Sequence, residues 1–379
     1  MNANVPLQFI DLQDRFARTR EQLAAARHLP GEVYAKTDVL ALEKQKIFLD
    51  TWLCVGREEE LPNVGDYLTA SICDEPYVLT RNTSGEISAF MNMCLHRGVA
   101  IAEGRGNARD FSCPYHAWLY DLEGKLLVAP GMGKTPLDIA GKRLKTLEVR
   151  TWRGWIFMSF NREPMPFEEF IGEFAENTPW FRTDECRMAE KMQIEVACNW
   201  KLLVENLVDI YHVPVLHTGT FGRFNDYRNL DVKLHARGSW SYDQKARSHS
   251  KTGKSLFPTL PWLEGLPDDT SSRGGLFPNV TLSMRSDSLR LWQVWPIDAE
   301  RTRLDIYLMF PPVAFEQPDF EANLAEYKAF VAKLVAEDAS MVVSLQNAMK
   351  SPFYEPGPMS SMEVAVHHLM KAYLDAIER

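Results

Sequence analysis

Cysteine is scarce in this chain, with six residues among 379. That density is too low for a disulfide framework, so a buried core must hold the fold. Long apolar runs are also missing. No stretch approaches about eighteen uninterrupted apolar residues, and no early apolar run follows a basic start. Neither a membrane span nor a signal peptide is expected, which points to the cytoplasm. Positive charge is not in excess either. The formal net charge is −9, which argues against nucleic acid as the main partner. No Gly-rich dinucleotide fingerprint follows a candidate strand, so the chain is not expected to bind NAD or flavin itself. Repeats and low-complexity linkers are absent. The length predicts two domains rather than one.

Against these absences, one stretch is dense in chemistry: Asn206-Leu-Val-Asp209-Ile-Tyr-His212-Val-Pro-Val-Leu-His217. Asp209 and His212 are three apart and would share a helix face. On a regular helix His217 would sit about 140° round from His212. Pro214 lies between them and disfavours a continuous helix, so a break there lets His217 swing back. Two neutral imidazoles beside an acid suit a divalent first-row metal. Two core histidines near a helix end are the other reading of the same spacing. Asn206 is a candidate support for the ligands, whereas Tyr211 and Trp200 read as packing residues.

A second constellation lies in a β-rich region. Gln13 to Arg27 reads as a polar helix stopped by Pro30-Gly31, and Ala41 to Trp52 as a second one. The texture then changes to short β-rich runs: Tyr67–Ile72, Tyr77–Arg81, Ile87–Asn92, Ala117–Tyr120 and Trp155–Phe160. Within them stand Cys94-Leu-His96-Arg97-Gly98 and Cys113-Pro114-Tyr115-His116. Each loop offers one thiolate and one imidazole. This set suits a [2Fe–2S] cluster with two thiolates on one iron and two imidazoles on the other. Zinc is the alternative, although the spacing is not the usual zinc arrangement. Gly98 would allow a tight turn and Pro114 would stiffen the second loop. Cys54, Cys73, Cys186 and Cys198 have no such neighbours and read as packing residues.

Together these motifs resemble the oxygenase α subunits of Rieske non-haem iron oxygenases, the aromatic ring-hydroxylating dioxygenase family. The matching residues are Cys94-x-His96-Arg97-Gly98, Cys113-Pro114-Tyr115-His116-x-Trp118, and Asn206-x2-Asp209-x2-His212-x4-His217 after Asn199-Trp200-Lys201. The resemblance covers about residues 40 to 379. It implies that Cys94, His96, Cys113 and His116 hold the cluster. It also implies that His212 and His217 bind mononuclear Fe(II), and that Asp209 bridges to a cluster histidine of a neighbouring subunit in a ring of three. A β subunit is compatible with the pattern. Electrons would come from NAD(P)H through a separate reductase or ferredoxin. Arg97, Arg105 and Arg109 are candidates for docking that partner, with ordinary solvated charge as the other reading.

The resemblance places the third iron ligand, a carboxylate, on a downstream helix. Glu321 to Met349 has the helical period, with Leu324, Tyr327, Val331, Leu334, Val335, Met341, Val342 and Leu345 on one stripe. Asp338 lies at the centre of that stripe and is the expected ligand, with Glu337 as the fallback. A buried acid there needs a partner, and a metal supplies one. Leu276–Met284, Ser288–Ile297 and Thr302–Phe310 read as an antiparallel meander, with a looser strand from Asp231 to Asp243. Phe257 to Gly275 reads as a long loop. The expected fold class is therefore α+β: a Rieske-type antiparallel β domain plus a helix-grip domain with a curved antiparallel sheet. The expected boundaries are a helical segment at 1–40 packing on the catalytic domain, the Rieske domain at 41–160 and the catalytic domain at 161–379.

The expected activity is oxygenation, using O2, of a small and apolar, aromatic substrate. O- or N-demethylation of a methyl ether or methylated amine is the alternative, and a non-catalytic electron carrier the third reading. Pocket candidates are Leu207, Val208, Leu216, Phe221, Phe224, Trp292, Val294 and Val342. Arg223, Arg228 and Arg290 are candidates for pairing with a substrate carboxylate.

Overall fold

The computed structural model describes residues 13–132, 141–224, 231–242 and 245–378. Arg228 lies outside them, as do the side chains of Arg223 and Phe224. Contacts divide the chain into two units, Phe48–Phe167 and the remainder, Met1–Ile47 with Glu168–Arg379.

The smaller unit is built on an antiparallel sheet. Among the described residues its strand order is Leu53–Arg57, Trp155–Ser159, Thr146–Trp152, Ile87–Met91, Glu75–Arg81, Asp66–Ile72 and Arg105–Asn107. A small three-stranded sheet, Phe111–Ser112, Leu119–Tyr120 and Leu126–Val128, carries the second Cys–His loop. Cys94, Cys113, Phe90, Phe111, Trp118 and Tyr120 share one buried core. The strand Leu53–Arg57 has no sequence alternation because all five of its residues are buried. It is therefore missing from the expected β runs, and the expected helix Ala41–Trp52 borders it. That helix in fact stops earlier, as Thr37–Glu43 running into a π-turn at Lys44–Phe48.

The larger unit is an α+β layer structure. Its sheet runs Arg187–Val196, Thr302–Phe310, Ser288–Pro296, Val280–Arg285, Ser272–Leu276, Gly238–Tyr242 and Lys233–His235, all antiparallel. The long helix Phe320–Met349 packs on it. Tyr327 meets Phe310 edge-on at 5.2 Å, and its hydroxyl donates to Ser288 Oγ at 3.0 Å. The expected loop to Gly275 ends earlier, because Ser272–Leu276 pairs as a strand. Glycine is required there for space: a Cβ on Gly274 would come 3.0 Å from the rings of both Phe174 and Phe181.

The N-terminal helices belong to this larger unit. Buried Glu43 receives Lys201 Nζ at 2.5 Å, Trp200 Nε1 at 2.7 Å and Tyr373 Oη at 2.8 Å. Such a pair is only tolerable when every lone pair is used, and removing one partner typically costs about 3–5 kcal/mol. Trp200 is thus a buried anchor at the start of the helix Trp200–Val208. Cys54, Cys186 and Cys198 are buried and Cys73 sits in a turn; none of the six cysteines is in a disulfide. Among the described residues no helix is long and apolar enough to cross a membrane.

Candidate metal centre and substrate cavity

Helix Trp200–Val208 starts on an Asn199 cap, whose side chain accepts from Lys201 N, and ends at Asp209 in extended conformation. The break therefore falls before His212, not at Pro214. Asp209 causes it. Its carboxylate accepts from Tyr211 N at 2.7 Å and His212 N at 3.2 Å, offering the backbone an alternative to the next helical turn. Pro214 instead lies in the first turn of a new short helix, Val213–Leu216, where its missing N–H costs nothing. His212 and His217 flank that single turn, and their Nε2 atoms come within 3.2 Å.

Asp338 Oδ1 lies 3.4 Å from Nε2 of His212 and 3.0 Å from Nε2 of His217. One ligand atom from each of the three residues falls within 4.8 Å of the others. The opposite ring nitrogens are also committed. His212 Nδ1 is 2.6 Å from Asp209 Oδ2, and His217 Nδ1 is 2.8 Å from Glu337 Oε2. A carboxylate can only accept, so each Nδ1 carries the proton and each Nε2 presents a bare lone pair. Two lone pairs and a carboxylate oxygen then face one another, an arrangement that needs a cation. Burial lowers the His212 pKa, but hydrogen bonds to Asp209 and Asp338 outweigh it and lift it to about 9. Burial likewise raises the Asp338 carboxyl, and its contacts with His212 and His217 bring it below the usual range. Without a metal, a proton is what relieves the crowding. Two imidazoles and one carboxylate on one side of a site fit Fe(II) with open positions.

Glu337, the fallback ligand, takes a different place. It orients His217 and accepts from Thr220 Oγ1 at 2.7 Å. Asn206 supports Asp338, with Nδ2 3.3 Å from Oδ1.

The triad opens on an inner cavity of about 50 Å³. Leu207, Phe221 and Trp292 line it, together with His249, Arg273, Thr281, Ser283, Arg285 and Arg290. Its walls are far more polar than the apolar pocket expected from sequence. The polar lining comes from alternate positions of neighbouring strands, which a one-dimensional pattern does not show. Val208 lines small adjoining cavities, and Val294 is buried in the sheet. Leu216 and Val342 face elsewhere, onto an outer cleft of about 920 Å³. That cleft also takes in Asp209, His212, Tyr211, Val215, Met341 and Leu345. Tyr211, Met341 and Leu345 are exposed rather than packed inside, at 55%, 47% and 45%.

In the other unit the two Cys–His loops come together. Their imidazoles meet with Nδ1 atoms 3.0 Å apart, and His96 stacks on Trp118 at 5.2 Å between centroids. Cys94 and Cys113 are buried, whereas His96 and His116 are exposed. Gly98 and Ala117 adopt positive φ, of 76° and 57°, closing the two loops. Tyr120 Oη accepts from Leu95 N at 3.0 Å and lies 3.2 Å from Cys94 Sγ. The donor set fits a cluster with an inner, thiolate-bound iron and an outer, imidazole-bound one. Of the expected docking arginines, Arg105 pairs with Glu60 at 3.1 Å, Arg97 lies over Tyr115, and Arg109 is exposed.

Comparison with known proteins adds three findings. The family described as ring hydroxylating alpha subunit (catalytic domain) matches residues 183–379, and the Rieske [2Fe-2S] domain matches 51–150. Among curated relatives, the glycine betaine monooxygenase oxygenase subunit of Chromohalobacter salexigens is 26% identical over 96% of this chain and 89% of its own. The carnitine monooxygenase oxygenase subunit of Acinetobacter pittii is 29% identical, covering 86% of each. The fold is shared with a quaternary ammonium Rieske monooxygenase solved with L-carnitine, at TM-score 0.77, 24% identity and coverage of 93% and 95%. It is also shared with naphthalene 1,2-dioxygenase from Rhodococcus sp., at TM-score 0.73, 18% identity and coverage of 92% and 94%.

Proposed function

This chain belongs to the ring-hydroxylating α-subunit family of Rieske non-haem iron oxygenases, and from that premise we propose that it is the oxygenase component that demethylates a small methylated amine. The relatives favour this alternative over the aromatic ring hydroxylation expected at first. The observation that carries it is the polarity of the inner cavity, whose lining includes His249, Arg273, Thr281, Ser283, Arg285 and Arg290 beside the triad. A short polar substrate suits these walls better than an aromatic ring.

His212, His217 and Asp338 would hold the mononuclear iron, and Cys94, His96, Cys113 and His116 the cluster. Iron at the triad supplies dioxygen activation, and the cluster supplies electrons drawn from a reductase. The chain's own residues do the rest. Asp209 and Glu337 hold the protons at Nδ1, keeping each Nε2 free. Asn206 steadies Asp338. The walls, with Phe221 and Trp292, exclude bulk water from the substrate carbon. Placing one oxygen atom in an N-methyl C–H bond gives an N-hydroxymethyl group, which breaks at C–N to formaldehyde and the demethylated amine. The second oxygen leaves as water, with two electrons from the reductase and two protons.

The outer cleft supports a homotrimer. Asp209 and His212 line both the inner cavity and this cleft. Exposed apolar groups surround them, with Val215 at 79%. In this reading a neighbouring subunit's cluster domain covers the cleft and brings a cluster histidine to Asp209.

The test is turnover with a surrogate reductase and NADH on glycine betaine, dimethylglycine, carnitine, benzoate and anthranilate. Stoichiometric formaldehyde and demethylated amine are expected. Hydroxylated aromatic product without formaldehyde overturns the assignment.

A further inference from the structure

The wall of the inner cavity carries three arginines, Arg273, Arg285 and Arg290, and the Arg290 guanidinium makes no ion pair among the described residues. Arg290 is 2% exposed and His249 1% exposed. Among the described residues no carboxylate lies within ion-pair distance of Arg290. Its Nη1 meets His249 Nδ1, and its Nη2 donates to Ser283 Oγ at 3.1 Å. Its Nε has no acceptor. Arginine always donates, so His249 Nδ1 is the acceptor and His249 Nε2 carries the proton. That second N–H also has no acceptor. Asp287 is the nearby acid, but its oxygens already accept from Ser248 Oγ, Ser288 Oγ and Leu256 N. Arg285, which donates to Met284 O at 3.0 Å, and Arg273 line the same cavity and add to its charge.

A buried guanidinium with no carboxylate in contact is costly, and it cannot escape by losing its proton. The fold tolerates that cost on the walls of the cavity that also holds His212, His217 and Asp338. We infer that Arg290, with His249 and Arg285, binds the carboxylate of a zwitterionic substrate whose methylated nitrogen lies toward the triad. This rests on the methylated-amine reading and narrows it: the substrate is an amino acid betaine or its analogue, not a neutral or purely cationic amine. A planar fork matches a carboxylate in two-point contact, which a hydroxyl cannot reproduce. Burial and Arg290 keep the His249 imidazole neutral, well below its ordinary pKa, consistent with a donor that adds no further repulsion.

The test is anaerobic binding to the oxidised holoenzyme, read by tryptophan fluorescence, since Trp292 lines the cavity. The probes are glycine betaine, propionate and choline. Glycine betaine and propionate should bind to wild type, with choline about 100-fold weaker than glycine betaine. Arg290→Gln should lose about 100-fold for glycine betaine and bind choline no more weakly than wild type does. Arg290→Lys should recover part of the loss. The wild-type series stands alone if the Gln variant does not fold, as judged by its cluster spectrum. Choline binding as tightly as glycine betaine, or an unchanged glycine betaine affinity in a folded Arg290→Gln, overturns the inference. The two readings fail separately. Propionate binding that depends on Arg290, with no methylated amine demethylated, keeps the anion subsite and removes the substrate class. Demethylation of glycine betaine and choline alike, indifferent to Arg290, does the reverse.

Discussion

Glu337 Oε2 lies 2.8 Å from Nδ1 of His217, on the far side of the ring from the Nε2 that faces Asp338. Adjacent acids on one helix thus do different work: Asp338 faces Nε2 and Glu337 holds Nδ1. Such outer partners typically change metal affinity by about 10–100-fold. Glu337→Gln should therefore weaken mononuclear iron binding by about that factor while the visible cluster spectrum stays unchanged. Competitive metal titration measures it. Equal affinity would show that the contact does not set the tautomer.

Tyr120 makes the corresponding contact in the cluster unit. Its hydroxyl accepts from Leu95 N, so its own proton is free to go to Cys94 Sγ. Hydrogen bonds to cluster sulfur favour the reduced form, because that form carries more negative charge. Tyr120→Phe should lower the cluster's reduction potential, by roughly tens of millivolts for a bond to a charged acceptor. A redox titration followed by absorbance reads this. A potential that does not move removes the hydrogen bond from the account.

The outer cleft predicts an assembly. Val215 and Leu345 are exposed apolar side chains lining it. Wild-type protein should sediment as a trimer, and Val215→Glu with Leu345→Glu should shift it to monomer with both iron centres still loaded. A monomeric wild type, or a trimer indifferent to both charges, would falsify the covering role.

Glu205 supplies a pH dependence. Burial pushes its carboxyl up to about 8, although the Tyr34 hydrogen bond, 2.8 Å long, and Lys201 pull it down. In that window the folded chain holds a proton that the unfolded chain releases. Its stabilising contribution is full below the unfolded value near 4.5 and is lost as pH rises toward about 8. The slope is at most about 1.4 kcal/mol per pH unit. Thermal unfolding between pH 5 and 8 should show this decline in wild type, and Glu205→Gln should flatten it. Parallel profiles would place Glu205's pKa near its ordinary value.

The candidate donors were legible in the sequence because they cluster locally. Cys94 and His96 share one loop, Cys113 and His116 another, and His212 and His217 are five apart. Asp338 was legible because an acid in the middle of an apolar helical stripe breaks the pattern around it. The route by which the two imidazoles meet was not. Pro214 is the expected breaker, but Asp209 ends the helix through its own side-chain hydrogen bonds, and Pro214 lies in the first turn of the next one. Met341 and Leu345 fitted the stripe but belong to a second, outward apolar surface, since periodicity cannot tell two burial events apart.

The amino-acid order alone determined two sets of candidate metal donors and the family, because donor identity and spacing are properties of short segments. Only the tertiary structure decided which nitrogen of each histidine is free, which acid meets both Nε2 atoms and which holds Nδ1, and what charge lines the inner cavity. Those depend on Glu337, His249, Arg285 and Arg290 arriving from separate helices, loops and strands. Their distances through space bear no relation to their separation along the chain.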